Sequence, residues 1–267
     1  MILVDTHVHF YDCFDLDIFL DSALLNFTCK SISSGWQNAF TGVLLLAETS
    51  KDNWFEYLSN YSSKNNGTYN WTFHSTNESC SLVAKNRENN SLVLISGSQI
   101  ITKEGLELLA LATNSKFKDG TSLEQLITEV KKAGGIPLIP WGFGKWVGKR
   151  GTVLKTLIEK NKNFNFFLGE NGGRPKIFAS PSIFKIALKK KIKILSGSDP
   201  LPLISDETRP GSSGFIVYKD LEMDYPSICL KTILLNKQMK ILNYRYPQTI
   251  SMFIKNQFLM NMAKKKR

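Results

Sequence analysis

The sequence predicts an α/β domain in which a largely parallel sheet is covered by helices. Three observations carry this. Short apolar runs alternate with stretches at helical spacing, the order that produces strand–helix–strand units. The chain of 267 residues is long enough for one barrel-sized domain with a substantial core. Polar residues gather where the apolar runs end, at the rim on which parallel α/β folds build their sites.

The first apolar run, residues 2–4, is β-rich and leads directly into Asp5-Thr6-His7-Val8-His9. Residues 16–32 repeat apolar side chains every three or four positions and read as a helix. Residues 42–47 form a continuous apolar strand closed by Glu48-Thr49-Ser50, and residues 52–58 a short helix capped by Ser50 or Asp52. Short β-like pieces follow at residues 69–74, 81–84, 92–95 and 106–111, with turn signals at Asn65-Asn66-Gly67 and across residues 86–90. They read as a β-meander inserted at about residues 60–115. Alternation then returns. Residues 122–133 are an amphipathic helix capped at Thr121 or Ser122 and ended by Gly134-Gly135. Strands are expected at 136–139, 164–168 and 192–195, and helices at 152–160 and 182–190. The C-terminal extension, about residues 206–267, is less regular, with helices expected at 228–235 and 249–262. No repeat or linker marks a boundary, so residues 1–267 read as a single domain.

Composition narrows the function classes. Hydrophobic residues make up 42% and charged residues 21%, a globular balance that excludes disorder. No apolar run approaches the roughly 20 residues of a membrane span. The start, Met1-Ile2-Leu3-Val4-Asp5, lacks the basic and long apolar parts of a secretory signal, so a cytoplasmic protein is expected. The four cysteines are scattered without a CxxC pair, which fits reduced thiols. The Asn-x-Ser/Thr triplets at Asn26, Asn70 and Asn77 follow from the abundance of Asn. A net charge of +11 invites an anionic partner, but part of it sits in runs at residues 189–193 and 264–267. No nucleic-acid-binding module accompanies it, so a nucleic-acid role is disfavoured. Nothing in the sequence indicates the oligomeric state.

The candidate chemistry lies at strand ends: His7 and His9 after the first strand, Glu48 after the second, Gln99 beyond residues 92–95, Trp141 after 136–139, Glu170, Asn171 and Arg174 after 164–168, and Asp199 after 192–195. Residues two apart on a strand point to one face, so both imidazoles of His7 and His9 can reach one cation. Asp199 follows small residues and can complete a His-His-Asp set with a position open for water; its bland alternative is a helix N-cap. His74, in the meander, reads as ordinary. A second constellation is the glycine-rich, basic stretch from Trp141 to Gly151. Its glycines expose amide donors, and Lys145 and Arg150, with Arg174, can grip a phosphate or carboxylate. The alternative is an exposed loop with solvated charges.

In order, these motifs resemble the polymerase-and-histidinol-phosphatase (PHP) superfamily over about residues 1–205. Asp5-Thr6-His7-Val8-His9 is similar to its opening metal motif, Ala47-Glu48-Thr49 to the end of its second strand, residues 131–137 to the lead into its histidine-proline motif, and Ser196-Gly197-Ser198-Asp199 to its glycine-serine-aspartate motif. The resemblance implies a distorted (β/α)7 TIM-like barrel and metal-dependent phosphoesterase chemistry. Several ligands of that family are missing: Thr49, Pro140-Trp141 and Leu201 stand where histidines are expected, and Gln99 near the place of a glutamate. What the resemblance implies here is therefore one divalent metal ion (zinc, manganese or iron) on His7, His9 and Asp199, with Glu48 as a fourth ligand or base. Glu48 and Glu170 are the candidate general bases. The expectation is a hydrolase acting on an anionic small molecule. The alternative is an inactive relative that binds a ligand or partner.

Overall fold

The apolar runs do become strands, and most are buried along their whole length. The computed structural model describes residues 1–36, 38–61, 69–160 and 165–265. The first half contains β1 (Ile2–Val8), α1 (Leu16–Ser33), β2 (Thr41–Leu46), α2 (Trp54–Tyr61), β3 (Trp71–Ser75), β4 (Ser81–Asn86), β5 (Ser91–Ile95), β6 (Gly97–Ile101) and β7 (Glu107–Leu111). The second half contains α3 (Leu123–Lys132), β8 (Ile136–Pro140), α4 (Gly148–Lys160), β9 (Phe167–Asn171), α5 (Ser182–Lys189), β10 (Ile194–Gly197), β11 (Gly214–Val217), α6 (Pro226–Leu235), β12 (Leu242–Tyr244) and α7 (Ile250–Lys265).

The strands form two sheets, in the orders β12-β11-β1-β2-β5-β4-β3 and β10-β9-β8-β7-β6. The expected (β/α)7 barrel is therefore corrected: neither sheet closes. The reason lies in the edges of β1 and β2. One edge of β1 pairs in parallel with β2, Ile2 opposite Thr41, and the other antiparallel with β11, Ile2 opposite Val217. The far edge of β2 takes β5 in parallel, Leu44 opposite Leu94. β2 keeps no edge for the second sheet, and β11 holds the outer edge of β1 along Ile2–Val4, leaving only its Asp5–Val8 end beside β10. Where β10 passes β1, the link is made instead by the Thr6 hydroxyl donating to the Ser196 carbonyl (3.0 Å) and the Asp199 amide donating to the His7 carbonyl (2.8 Å). Beyond β2, Glu48 and Ser98 form an isolated bridge.

Two further expectations change. The meander is divided, with β3–β5 extending the first sheet and β6–β7 opening the second, so it is not an insert in a barrel. The C-terminal extension has its helices, α6 and α7, but also contributes β11 and β12 to the first sheet. The Asn65-Asn66-Gly67 turn and Phe164, the expected start of β9, lie outside the described residues.

Alternation along the strands divides the core into layers. Leu3, Leu44 and Leu92 face α1, meeting Phe19 and Phe27. Ile2, Val4, Val43 and Leu45 point the other way, into one apolar cluster with Leu109, Leu138 and Leu195 of the second sheet. The second sheet's other face, with Leu108, Ile139 and Leu168, is covered by Leu126 and Ile127 of α3 and Leu154 and Ile158 of α4. No described helix is long and apolar enough to cross a membrane.

Candidate metal centre

The ends of β1 and β10 meet at one buried polar spot. β10 ends in Gly197, where a Cβ would stand 2.6 Å from the His7 backbone nitrogen, so only glycine permits this approach. Asp199, two residues on, has φ +48, a left-handed conformation that non-glycine residues seldom adopt and that tends to mark functional positions. Asp5 ties the strands together from below. One of its carboxylate oxygens accepts from the amides of His7 (3.2 Å) and Ser198 (2.8 Å), the other from the amide of Gly211 (2.8 Å). Complete burial pushes its pKa up to about 7, against the opposing pull of those hydrogen bonds.

Above this frame, His7 and His9 are both buried and face the same way. Their Nε2 atoms lie 2.9 Å apart, and Asp199 Oδ1 is 3.5 Å from the first and 3.6 Å from the second. Each corner of such a triangle lies roughly 2 Å from its centre, the length of an ordinary metal–nitrogen or metal–oxygen bond. Two imidazoles and a carboxylate suit zinc, manganese or iron, so this donor set fits the expected cation. Burial lowers the His7 pKa, and burial together with the neighbouring His7 charge pushes His9 down to about 4. Both rings are thereby held neutral, the form in which imidazole binds metal.

The surroundings orient the three donors unevenly. Asn171, at the end of β9, donates from Nδ2 to Asp199 Oδ2, and its own Oδ1 accepts from the Gly173 amide at 2.5 Å. Gln99 Oε1 lies 3.3 Å from His7 Nε2. The His9 ring stacks on Tyr11 at 5.6 Å, while its Nδ1 is buried with no hydrogen-bond partner.

The other expected site residues are spread around this cluster. Glu48 borders a cavity of about 400 Å³ also lined by Gln99, Asp52 and Lys116; one of its oxygens accepts from the Phe55 amide at the start of α2, and burial raises its pKa. Glu170 is held by Arg174 (2.8 Å) and Arg245 (3.4 Å). The Arg174 guanidinium lies 6.0 Å from the Trp141 ring. Lys145 pairs with Glu107, and Arg150 donates to the Gly105 and Gly144 carbonyls. His74 is exposed and bonds the Thr72 hydroxyl. The structure thus gathers His7, His9, Asp199, Gln99 and Asn171, and leaves Arg150, Glu170 and Arg174 in contacts of their own. Sequence reasoning missed Asp5 and Tyr11 as parts of the centre. An acid placed immediately after an apolar strand start was the available signal for Asp5; Tyr11 carried none.

No protein-family model matches the sequence, and no curated protein is detectably similar to it. Solved structures do share its fold. PsfC from Pseudomonas syringae is 12% identical with a TM-score of 0.54, covering 99% of this chain and 98% of its own. The lesion-specific endonuclease PfuEndoQ from Pyrococcus furiosus is 14% identical with a TM-score of 0.54; the match covers 90% of this chain and 58% of that one. A two-domain protein from Bacteroides vulgatus, containing a predicted PHP-like metal-dependent phosphoesterase, is 14% identical over 91% of this chain and 64% of its own. Its TM-score of 0.45 is too low to weigh. At such identities the likeness is one of fold.

Proposed function

We propose that this chain is a metal-dependent hydrolase of the phosphoesterase type, working through a single divalent ion on His7, His9 and Asp199. The observation that carries the reading is the convergence of two buried imidazoles and a part-exposed carboxylate, from segments 190 residues apart in sequence, around one point at bonding distance. When bound, the cation would polarise a substrate oxygen and lower the pKa of a water molecule. The chain's own residues then divide the remaining work. Asn171 fixes the Asp199 carboxylate, and Gln99 connects the cluster to the cavity beside it, which offers the substrate a seat. Glu48, on the wall of that cavity and with a raised pKa, is better placed to exchange a proton than Glu170, which two arginines hold. Lys145 is close enough for its charge to depress the His7 pKa, and Glu107 holds its ammonium.

The competing reading, a ligand-binding protein without turnover, is favoured by one observation. The two Nε2 atoms at 2.9 Å can hydrogen-bond each other, so the histidine pair satisfies these atoms without an ion. Activity decides between the two. Aryl phosphate mono- and diesters offered with zinc, manganese or iron are expected to be hydrolysed by the wild type and not by folded His7→Ala. Equal rates in both would remove the cluster from the reaction.

A further inference from the structure

The net charge has an address. Nine of the 34 lysines and arginines lie after Asp224, with no aspartate or glutamate among them, leaving 25 against all 23 acids in the first 224 residues. Within this segment the described side chains of α7 pack by one face only. Phe253, buried, meets the rings of Phe143 (5.2 Å) and Phe178 (5.3 Å) edge-on, and Asn256 is buried beside it. The outward face carries Ile250, Ile254, Phe258 and Met262, one helical turn apart, at 45%, 62%, 64% and 44% exposure. A run of large apolar side chains left in solvent along an entire helix needs a partner.

We propose that the outward face of α7 seats the protein on an anionic lipid surface. The apolar row enters the boundary between headgroups and acyl chains, while Lys255 meets the headgroup charge. Charge complementarity selects this occupant. A second copy docked through the same face would bring two acid-free, strongly basic segments together without counter-charge. A cavity of about 710 Å³ lies between α1 and the start of α7, lined by Leu25, Tyr246 and Met252 together with Lys30, Arg209 and Arg245, and no carboxylate is among its lining residues. Arg245 also keeps its ion pair with Glu170.

Co-sedimentation of the full chain with phosphatidylcholine vesicles, with and without about one-third phosphatidylserine, tests this. The chain is expected to pellet with the anionic vesicles and to stay in solution with the neutral ones. Ile254→Asp/Phe258→Asp, which touches exposed positions only, is expected to lower the bound fraction about tenfold or more, and Ile254→Leu/Phe258→Leu to keep it. Matching circular dichroism melts confirm that all three proteins are folded. The proposal is overturned if anionic vesicles fail to retain the wild type, or if the aspartate variant binds them as well as the wild type. A dimer in sedimentation velocity that the aspartate variant dissolves, without vesicle binding, would reassign the face to self-association.

Discussion

The β1–β10 contact and the loop from Trp141 to Gly151 both concentrate chemically capable residues at strand ends, yet only the first turns them towards one common point. At the contact, His7, His9 and Asp199 aim at one another across 2.9–3.6 Å and are oriented by Asn171 and Gln99. In the loop, Lys145 pairs with Glu107 and Arg150 fastens the loop's own carbonyls. The difference shows what composition leaves open. Two metal-binding side chains at i and i+2 on a strand converge because the backbone obliges them to, whereas lysines and arginines on a turn can be neutralised by any carboxylate or carbonyl in reach.

The largest effect that would sharpen this contrast is expected for Asp199→Asn. It should weaken zinc or manganese binding about a hundredfold or more, beyond the 10–100-fold typical of residues behind the ligands, as read by calorimetric titration of the folded variant. Binding within a few fold of wild type would take Asp199 out of the site. Gly197→Val should come next, costing about 1–3 kcal/mol in urea unfolding, because its side chain must displace the His7 backbone. A neutral result would mean that β1 and β10 are not locked together. In the loop, Arg150→Ala should cost no more than about 1 kcal/mol and leave metal affinity unchanged; a large loss of affinity would tie the loop to the site.

The smallest effect concerns pH. Protons compete with metal for imidazole nitrogen, and the His9 ring, held near 4, stays neutral well below the ordinary histidine value of 6.5. His7 is shifted in the same direction. His9 should therefore cost no metal affinity as pH falls from about 7 to about 5.5, and begin to do so only on approach to 4. A steep loss beginning at 6.5 would show two ordinary, accessible histidines and break the contrast between the buried cluster and the solvated loop.

Much of the secondary structure was legible because it follows from local spacing: the 3.6-residue repeat of α1 and α3, and the apolar runs of β1, β2, β5 and β8. Which strand pairs with which was not. A run as short as Gly214–Val217 carries too little pattern to be recognised as a strand, yet by taking the free edge of β1 it helps keep the sheets from closing. The donor triad was legible in His7, His9 and Asp199 through strand periodicity and motif order. The role of Asp5 was not, because its three amide partners include Ser198 and Gly211, roughly two hundred residues away, and exist only once the sheets have met.

The central claim is that one divalent ion belongs at the β1–β10 contact. Its most direct test is the metal content of freshly purified wild type beside His7→Ala/His9→Ala. Near-stoichiometric zinc, manganese or iron in the wild type alone is the expected result. Absence of metal from both proteins, persisting after reconstitution, would contradict the claim and leave the histidine pair as a hydrogen-bonded element of the fold.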